Sequence, residues 1–209
     1  MSLLELHTRS MELAADLVDT VQPEQLVLPT PCTGWSLRRL LDHVVGQHRG
    51  FAAAARGAGP DLALWRDVPV DGDPAGAFRR SAAQLTAAFT GASAAPGGSV
   101  LWLPEIRDGG PLPLDLAVGF HLLDTLVHAW DVAAALGPST ASGIVTEVEA
   151  EPPLVGALLA VAEAVPAAPA NRGPGRAFDV VGSPDTAAGP FARALVLLGR
   201  DPAWSTPER

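Results

Sequence analysis

The stretch from Phe120 to Asp131 constrains the fold more than any other, because polar residues recur on one face of an otherwise apolar segment. Drawn as a helix at about 100° per residue, it places His121, Asp124 and His128 within about 60° of one another. Asp131 lies at the edge of the same stripe. The other positions are nearly all apolar, which predicts a helix that is buried on most sides. Imidazoles and a carboxylate that face inward from such a helix are costly to desolvate unless a partner satisfies them.

This polar stripe has two interpretations. The i, i+4 spacing of Asp124 and His128 allows both side chains to bind one metal ion. The alternative is a hydrogen-bonded polar cluster inside a bundle, with no metal. One such pair on one helix does not decide between them.

The rest of the chain predicts a mainly α protein. Apolar periodicity, the candidate N-cap Ser36 and the helix start Asp73-Pro74 indicate four long helices separated by loops rich in glycine and proline. These helices are expected at residues 3–21, 37–56, 74–91 and 113–136. Four long helices favour a helical bundle, and bundles commonly hold metal sites on inward-facing side chains.

Beyond residue 138 the helical pattern weakens. A fifth helix is expected at residues 154–165, a short strand at 177–181 and a final short helix at 191–198. We therefore predict a four-helix bundle domain at residues 1–140, and a small α/β or loop-rich C-terminal extension at 141–209 that packs on the bundle.

Composition excludes several classes of function. The 209 residues carry a formal net charge of −9 and no basic run, which argues against a nucleic-acid partner. The single cysteine, Cys32, excludes an internal disulfide and fits a reducing compartment. The first residues do not resemble a signal peptide, and no apolar run reaches the roughly 18 residues that a membrane span needs. A cytoplasmic protein without a membrane partner is expected.

A third metal ligand would have to come from another helix. We select His43, which lies in the second predicted helix beside its apolar face. A set of His43, Asp124 and His128 leaves one coordination position open, as in catalytic zinc sites. Zn²⁺ suits this nitrogen-rich set best, and Ni²⁺, Fe²⁺ and Mn²⁺ are compatible with it. His121 and Asp131 flank the pair and could orient its side chains.

Two other residues have a structural and a functional interpretation. His7 lies on the apolar stripe of the first helix, where a hydrogen-bonded core histidine is favoured over a site residue. Cys32, next to a helix start, is favoured as a small packing residue over a reactive thiol.

Motifs for a nucleophile elbow, a phosphate loop or dinucleotide binding do not occur in the sequence.

Two segments together resemble a known family. The segment Thr30-Pro31-Cys32-Thr33-Gly34-Trp35-Ser36, continuing to His43, is similar to the entry to helix two in the actinobacterial branch of the DinB-like superfamily. The segment Asp124-Thr125-Leu126-Val127-His128-Ala129-Trp130-Asp131 is similar to the second metal motif of the same branch. That branch contains the N-terminal domain of mycothiol-dependent maleylpyruvate isomerase and uncharacterised metal-binding proteins. The ending that includes Leu198-Gly199-Arg200-Asp201-Pro202 is also similar to those proteins.

The resemblance implies a DinB-like four-helix bundle with a divalent metal, often zinc, at His43, Asp124 and His128. It also implies a transferase or isomerase that uses a low-molecular-weight thiol such as mycothiol, with a small thiol and an electrophilic substrate as partners. Whether the protein is an enzyme stays open, because a non-catalytic metal-binding or regulatory module that retains the bundle is the alternative. The oligomeric state, a homodimer included, is also left open.

Overall fold

The structure is a computed structural model that describes residues 1–96, 98–104, 110–167, 172–173, 178–182 and 189–206. Its helices are α1 (Leu3–Val18), α2 (Leu37–Ala55), α3 (Pro74–Ser93), α4 (Leu114–Leu136), α5 (Pro138–Glu149), α6 (Pro152–Ala164) and α7 (Pro190–Leu197). Short 3-10 helices lie at Pro23–Val27 and Leu62–Trp65. Two strands, β1 (Val100–Trp102) and β2 (Pro111–Pro113), pair antiparallel. The prediction of a mainly α fold is confirmed.

Side chains at the helix starts explain where the long helices begin. Ser2 forms a reciprocal capping box with Glu5 at the start of α1. Ser36 accepts a hydrogen bond from the backbone N–H of Arg39 at the start of α2, as predicted. Asp73 accepts from the N–H of Gly76 and precedes Pro74, the first residue of α3. These caps satisfy amide groups that would otherwise lack a partner in the first turn.

The first four helices form the bundle. The helix α1 packs against α4 and α3, while α2 packs against α3 and α4. The helix α4 is the most enclosed, and its Leu122, Leu126 and Trp130 are almost completely buried. A helix that is apolar on most sides gains from burial in the middle of a core, which explains why this segment became the centre of the molecule.

In the described C-terminal residues, three further helices follow the bundle. The helices α5 and α6 both contact α4, and α6 also contacts α1 and α7. The helix α5 was not predicted from the sequence, because only Ile144 and Val148 of its side chains are buried and they make a weak stripe. The proposed division at residue 140 stays a prediction, and α5 spans that position.

The short strand predicted at residues 177–181 is wrong for the part that is described. Residues 178–181 are not in a strand, and residue 177 lies outside the described residues. The carbonyl of Phe178 instead accepts a hydrogen bond from the N–H of Gly173 at 3.0 Å. The guanidinium of Arg172 lies 5.7 Å from the centre of the Phe178 ring. A local turn contact therefore takes the place of pairing with a neighbouring strand.

Among the described residues, none of the helices is long and apolar enough to cross a membrane.

Candidate metal centre

Asp124 and His128 form an ion pair on α4. They lie one helical turn apart, with Nε2 of His128 3.3 Å from Oδ1 of Asp124. Burial works to lower the pKa of His128, but the carboxylates of Asp124 and Asp131 outweigh it and hold that pKa well above its ordinary value. Burial works to raise the pKa of Asp124, yet His128 and the other nearby imidazoles bring it below its ordinary value. Without a metal, the pair is therefore an imidazolium beside a carboxylate.

His43 on α2 faces this pair. Its ring centroid lies 5.7 Å from that of His128, and the Trp35 ring packs against its other side with centroids 5.0 Å apart. Burial, together with the charge on His128, lowers the pKa of His43. His43 is consequently neutral at pH 7 and can offer a nitrogen lone pair.

Each of the two histidines has a carboxylate beside its Nδ1 atom. Nδ1 of His43 lies 3.4 Å from Oδ1 of Asp67, and Nδ1 of His128 donates to Oδ2 of Asp131 at 2.9 Å. Carboxylates in these places fix the tautomer and leave Nε2 as the ligand atom, which is the usual arrangement around a metal-bound histidine. The orienting role suggested for Asp131 agrees with this contact. Asp67 was missed because it lies in a loop whose sequence has no periodic signal.

Asp131 is the centre of a second polar cluster behind His128. The side chain of Asp131 is completely buried, and Arg200 donates to both of its oxygens, from Nε at 2.9 Å and from Nη2 at 3.0 Å. Cys32 Sγ donates to Oδ2 of Asp131 at 3.2 Å. Burial works to raise the pKa of Asp131, but Arg200 and His128 lower it to about 2. The carboxylate is thus ionised and fully paired.

The potential ligand atoms of Cys32, His128 and Asp131 all lie within 4.8 Å of one another. In the part of the chain that the structure describes, His43, Asp124 and His128 do not form an equally tight set. Closeness alone would therefore favour the cysteine-containing set. We favour the predicted set nevertheless, because the Arg200 cation already neutralises Asp131 and lies 3.2 Å from Cys32 Sγ.

The loop before α2 holds Cys32 in this cluster. Pro29 and Ser36 form an isolated antiparallel bridge, and the N–H of Trp35 donates to the Cys32 carbonyl at 2.9 Å. Gly34 closes the loop with a φ of 79°, in the left-handed region that glycine adopts without strain. The sequence suggested a packing role for Cys32. The structure adds polar contacts to Asp131 and Arg200, which are distant in the sequence.

The remaining histidines lie deeper in the core. His7, His48 and His121 are each at most 1% exposed. Nε2 of His7 lies 3.0 Å from Nδ1 of His121, and Nδ1 of His48 lies 2.8 Å from the Ser81 hydroxyl. His7 is thus a hydrogen-bonded core histidine, as the sequence indicated. His121 contacts His7 and the Thr125 hydroxyl, so it is a member of this inner group and Asp131 is the orienting partner of His128.

Burial depresses the basicity of all three inner histidines. It lowers the pKa of His7 to about 4 and that of His48 to about 3, and holds that of His121 well below its ordinary value. Within the described residues, His7 Nδ1, His48 Nε2 and His121 Nε2 have no hydrogen-bond partner. The inner group is therefore neutral and incompletely paired, which carries a cost in stability.

Of two cavities in the described part of the chain, one borders the candidate ligand His128 and the other contains no candidate ligand. A cavity of about 10 Å³ borders His128 and Thr125 and is otherwise lined by apolar side chains, so it holds at most about one water molecule. A shallow groove of about 510 Å³ lies between α2 and α3 and is lined by small side chains and Arg56. The groove includes none of the candidate ligands, and its size alone does not make it the substrate site.

Comparison with known proteins gives consistent results. The family described as mycothiol maleylpyruvate isomerase N-terminal domain matches residues 7–133, which include His43, Asp124 and His128. Uncharacterized proteins from two strains of Mycobacterium tuberculosis are 34% identical to this chain over 176 residues. Those alignments cover 82% of this chain and 83% of each relative.

A solved structure shares the fold. The crystal structure of the mycothiol-dependent maleylpyruvate isomerase superposes with a TM-score of 0.55 and 13% sequence identity. The superposition covers 78% of this chain and 68% of that chain. At this identity the likeness concerns the fold alone.

Proposed function

Because the chain belongs to the mycothiol maleylpyruvate isomerase N-terminal domain family, we propose that it binds a divalent metal ion through His43, Asp124 and His128. We further propose that it is a transferase or isomerase that uses a low-molecular-weight thiol of the mycothiol type. Its partners are then that thiol and a small electrophilic substrate, and its compartment is the cytoplasm. The observation that carries the proposal is the presence of a carboxylate at Nδ1 of both histidines.

The residues fit a divalent ion in chemistry as well as in placement. With Nδ1 occupied, each histidine has Nε2 available, and Nε2 of His128 already faces the Asp124 carboxylate. The set offers nitrogen from two imidazoles and oxygen from one carboxylate, which favours Zn²⁺ and tolerates Ni²⁺, Fe²⁺ or Mn²⁺. When bound, such an ion supplies Lewis acidity that favours the thiolate form of a coordinated thiol.

The protein's own residues have defined tasks in this proposal. Asp124 is the single anionic ligand, so a dication would leave the centre with a net positive charge that attracts an anionic thiolate. Asp67 and Asp131 hold the Nδ1 protons of His43 and His128 and so keep both rings oriented. Trp35 packs against His43, and the Arg39 guanidinium lies 4.8 Å above the Trp35 ring, so the pair shields one side of the centre.

A test of this function begins with metal content. Protein purified without chelator should contain close to one equivalent of a divalent metal by elemental analysis, and a variant with both His43→Ala and His128→Ala should lose it. The metal-loaded protein is then incubated with mycothiol and maleylpyruvate, and with mycothiol and a panel of other electrophiles. Metal-dependent consumption of the thiol or of maleylpyruvate is expected. Stoichiometric metal without any thiol-dependent reaction would contradict the enzymatic part.

A non-catalytic metal-binding or regulatory module is the second candidate. It is favoured by the end of the family match at residue 133, which leaves the three C-terminal helices outside the matched segment. This candidate predicts the same metal content and ligand dependence, but no turnover with any thiol.

A further inference from the structure

We propose that Arg200 is a positioning residue that determines which side of His128 binds the metal. By pairing with Asp131 and Cys32 on the Nδ1 side, Arg200 excludes a metal from that side and leaves Nε2 for the ion. This inference rests on the proposed metal site and adds a residue from the C-terminal segment to it.

The geometry joins Arg200 to His128 through one carboxylate. Asp131 is completely buried, and among the described residues Arg200 Nε, Arg200 Nη2, Cys32 Sγ and His128 Nδ1 contact its carboxylate at 2.9 to 3.2 Å. A two-point contact between a guanidinium and a carboxylate fixes the orientation of both groups. Because the same carboxylate accepts from His128, its orientation sets that of the imidazole ring.

The chemistry of the cluster around Asp131 explains why a metal would have to be excluded from the Nδ1 side of His128. Sulfur, nitrogen and oxygen atoms from Cys32, His128 and Asp131 lie within 4.8 Å of one another, and these are the ligand types that zinc prefers. A metal on this side would need the Nδ1 atom of His128 and would compete with the site at Nε2. The Arg200 side chain, 11% exposed and fixed between Asp131 and Cys32, repels a dication and neutralises the carboxylate.

The C-terminal segment places the Arg200 side chain beside Asp131. The helix α7 buries Phe191 and Leu195, and Leu198, which follows the helix, is also buried. The backbone N–H of Arg200 donates to the Leu195 carbonyl at 2.9 Å, and Gly199 precedes it with a φ of 79°. The segment after α7 therefore reaches back to the bundle at the position where His128 needs its partner.

The experiment uses Co²⁺ as the metal probe in the full-length chain. Cobalt bound to a thiolate shows strong near-ultraviolet charge-transfer absorption, whereas cobalt bound only by imidazole and carboxylate does not. The wild-type protein should bind cobalt without this absorption. Arg200→Gln should bind cobalt about 10- to 100-fold more weakly at the Nε2 side and should acquire the thiolate absorption, which Cys32→Ser in the same chain should abolish.

Arg172→Gln is the matched control. Arg172 is also a buried arginine, but it holds the C-terminal segment by donating to the carbonyls of Pro166, Asp179 and Leu197. The Arg172→Gln variant should keep the cobalt affinity and the absorption spectrum of the wild type, even if the substitution lowers stability. Arg200→Lys keeps the charge without the two-point contact, and should retain exclusion of the thiolate while losing part of the affinity. If Arg200→Gln does not fold, Asp131→Asn tests the same link and should also weaken cobalt binding about 10- to 100-fold.

The outcomes separate this inference from the proposed function. If wild type binds cobalt through His43 and His128, but Arg200→Gln matches it in affinity and spectrum, the role of Arg200 is overturned and the metal site stands. Equal effects of Arg172→Gln and Arg200→Gln would also overturn it. Thiolate absorption in the wild-type complex would show that the metal binds on the Cys32 side, which contradicts both proposals. Wild type that binds no cobalt, with Arg200→Gln acquiring a thiolate-bound ion, would support exclusion by Arg200 and contradict the site at Nε2.

Discussion

Nε2 of His128 lies 3.3 Å from Oδ1 of Asp124, and this contact makes the metal-free centre a proton-binding site. The carboxylates of Asp124 and Asp131 overcome the effect of burial and raise the pKa of His128 well above its ordinary value, so Nε2 carries a proton at pH 7. A metal ion must displace that proton. We therefore expect about one proton to be released for each ion bound at pH 7, and an affinity that rises about tenfold per unit between pH 6 and pH 7.

Calorimetric titrations with Zn²⁺ in two buffers of different ionisation enthalpy measure this release directly. An affinity that does not change between pH 6 and pH 7, with no proton released, would mean that Asp124 does not hold His128 in its charged form.

His128 of α4 and His48 of α2 should differ in their effect on metal binding. His128→Ala removes a candidate ligand and should lower the affinity by more than about 100-fold, which exceeds the usual effect of losing an outer partner. His48→Ala should change the affinity by less than about threefold, because Nδ1 of His48 contacts Ser81 inside the core. Competition with a chromogenic chelator gives both values. Similar losses in the two variants would mean that the ligands have been assigned to the wrong face.

The inner histidines should make the fold sensitive to mild acid. The pKa values of His7, at about 4, His48, at about 3, and His121, well below the ordinary value, are all lowered by burial. The unfolded chain therefore binds more protons than the folded one below about pH 6.5, and the stability that is complete above that pH is lost as the pH falls. Three such groups lower the free energy of unfolding by as much as about 4 kcal/mol per pH unit.

His43, whose pKa is also lowered, adds to this slope, and the remaining shifted groups near it do not oppose it. His128, whose pKa is raised, is protonated in both states below its ordinary pKa, and the lowered pKa values of Asp124 and Asp131 matter only below about pH 4. Urea unfolding at pH 7, 6 and 5 measures the slope, and His48→Leu should reduce it by about a quarter to a third. Equal stability at pH 7 and pH 5 would contradict the assignment of a neutral inner group.

Much of the fold could be predicted because its signals are local. Hydrophobic periodicity and the caps Ser36 and Asp73 located four helices to within a few residues, since both signals depend only on near neighbours. The helix α5 was missed because most of its side chains stay outside the core. The strand expected near Val180 does not form, because a run of strand-forming residues needs a partner strand that a sequence pattern does not specify.

In the candidate site too, contacts within one helix could be predicted from the sequence, and contacts between distant residues could not. The relation of Asp124, His128 and Asp131 follows from helical spacing, so it could be read from the sequence. The contact of Asp131 with Arg200 joins residues 69 positions apart, and that of Arg200 with Cys32 joins residues 168 apart. Periodicity describes one element at a time and gives no information about such contacts. The resemblance of the segment around Arg200 to a family was visible, but its physical purpose was not.

The close approach of a loop to α2 should link stability to the metal centre. A Cβ atom at Gly46 would lie 2.6 Å from the carbonyl oxygen of Arg66, the residue before Asp67. Gly46→Ala should therefore lower the free energy of unfolding by about 1 to 3 kcal/mol and displace the loop. Since Asp67 holds Nδ1 of His43 from that loop, metal affinity should fall as well.

Gly91→Ala is the control for this last variant. Gly91 is also in a helix, and a Cβ atom there would meet no other atom within 4 Å. Its replacement should be neutral or should raise stability by up to about 1 kcal/mol, because alanine is the better helix former, and metal affinity should not change. Urea unfolding and chelator competition on both variants make the comparison. If Gly46→Ala lowers stability but leaves metal affinity equal to that of Gly91→Ala, then the Asp67 contact does not orient His43, and the support of a ligand by a carboxylate would be limited to Asp131 within the described residues.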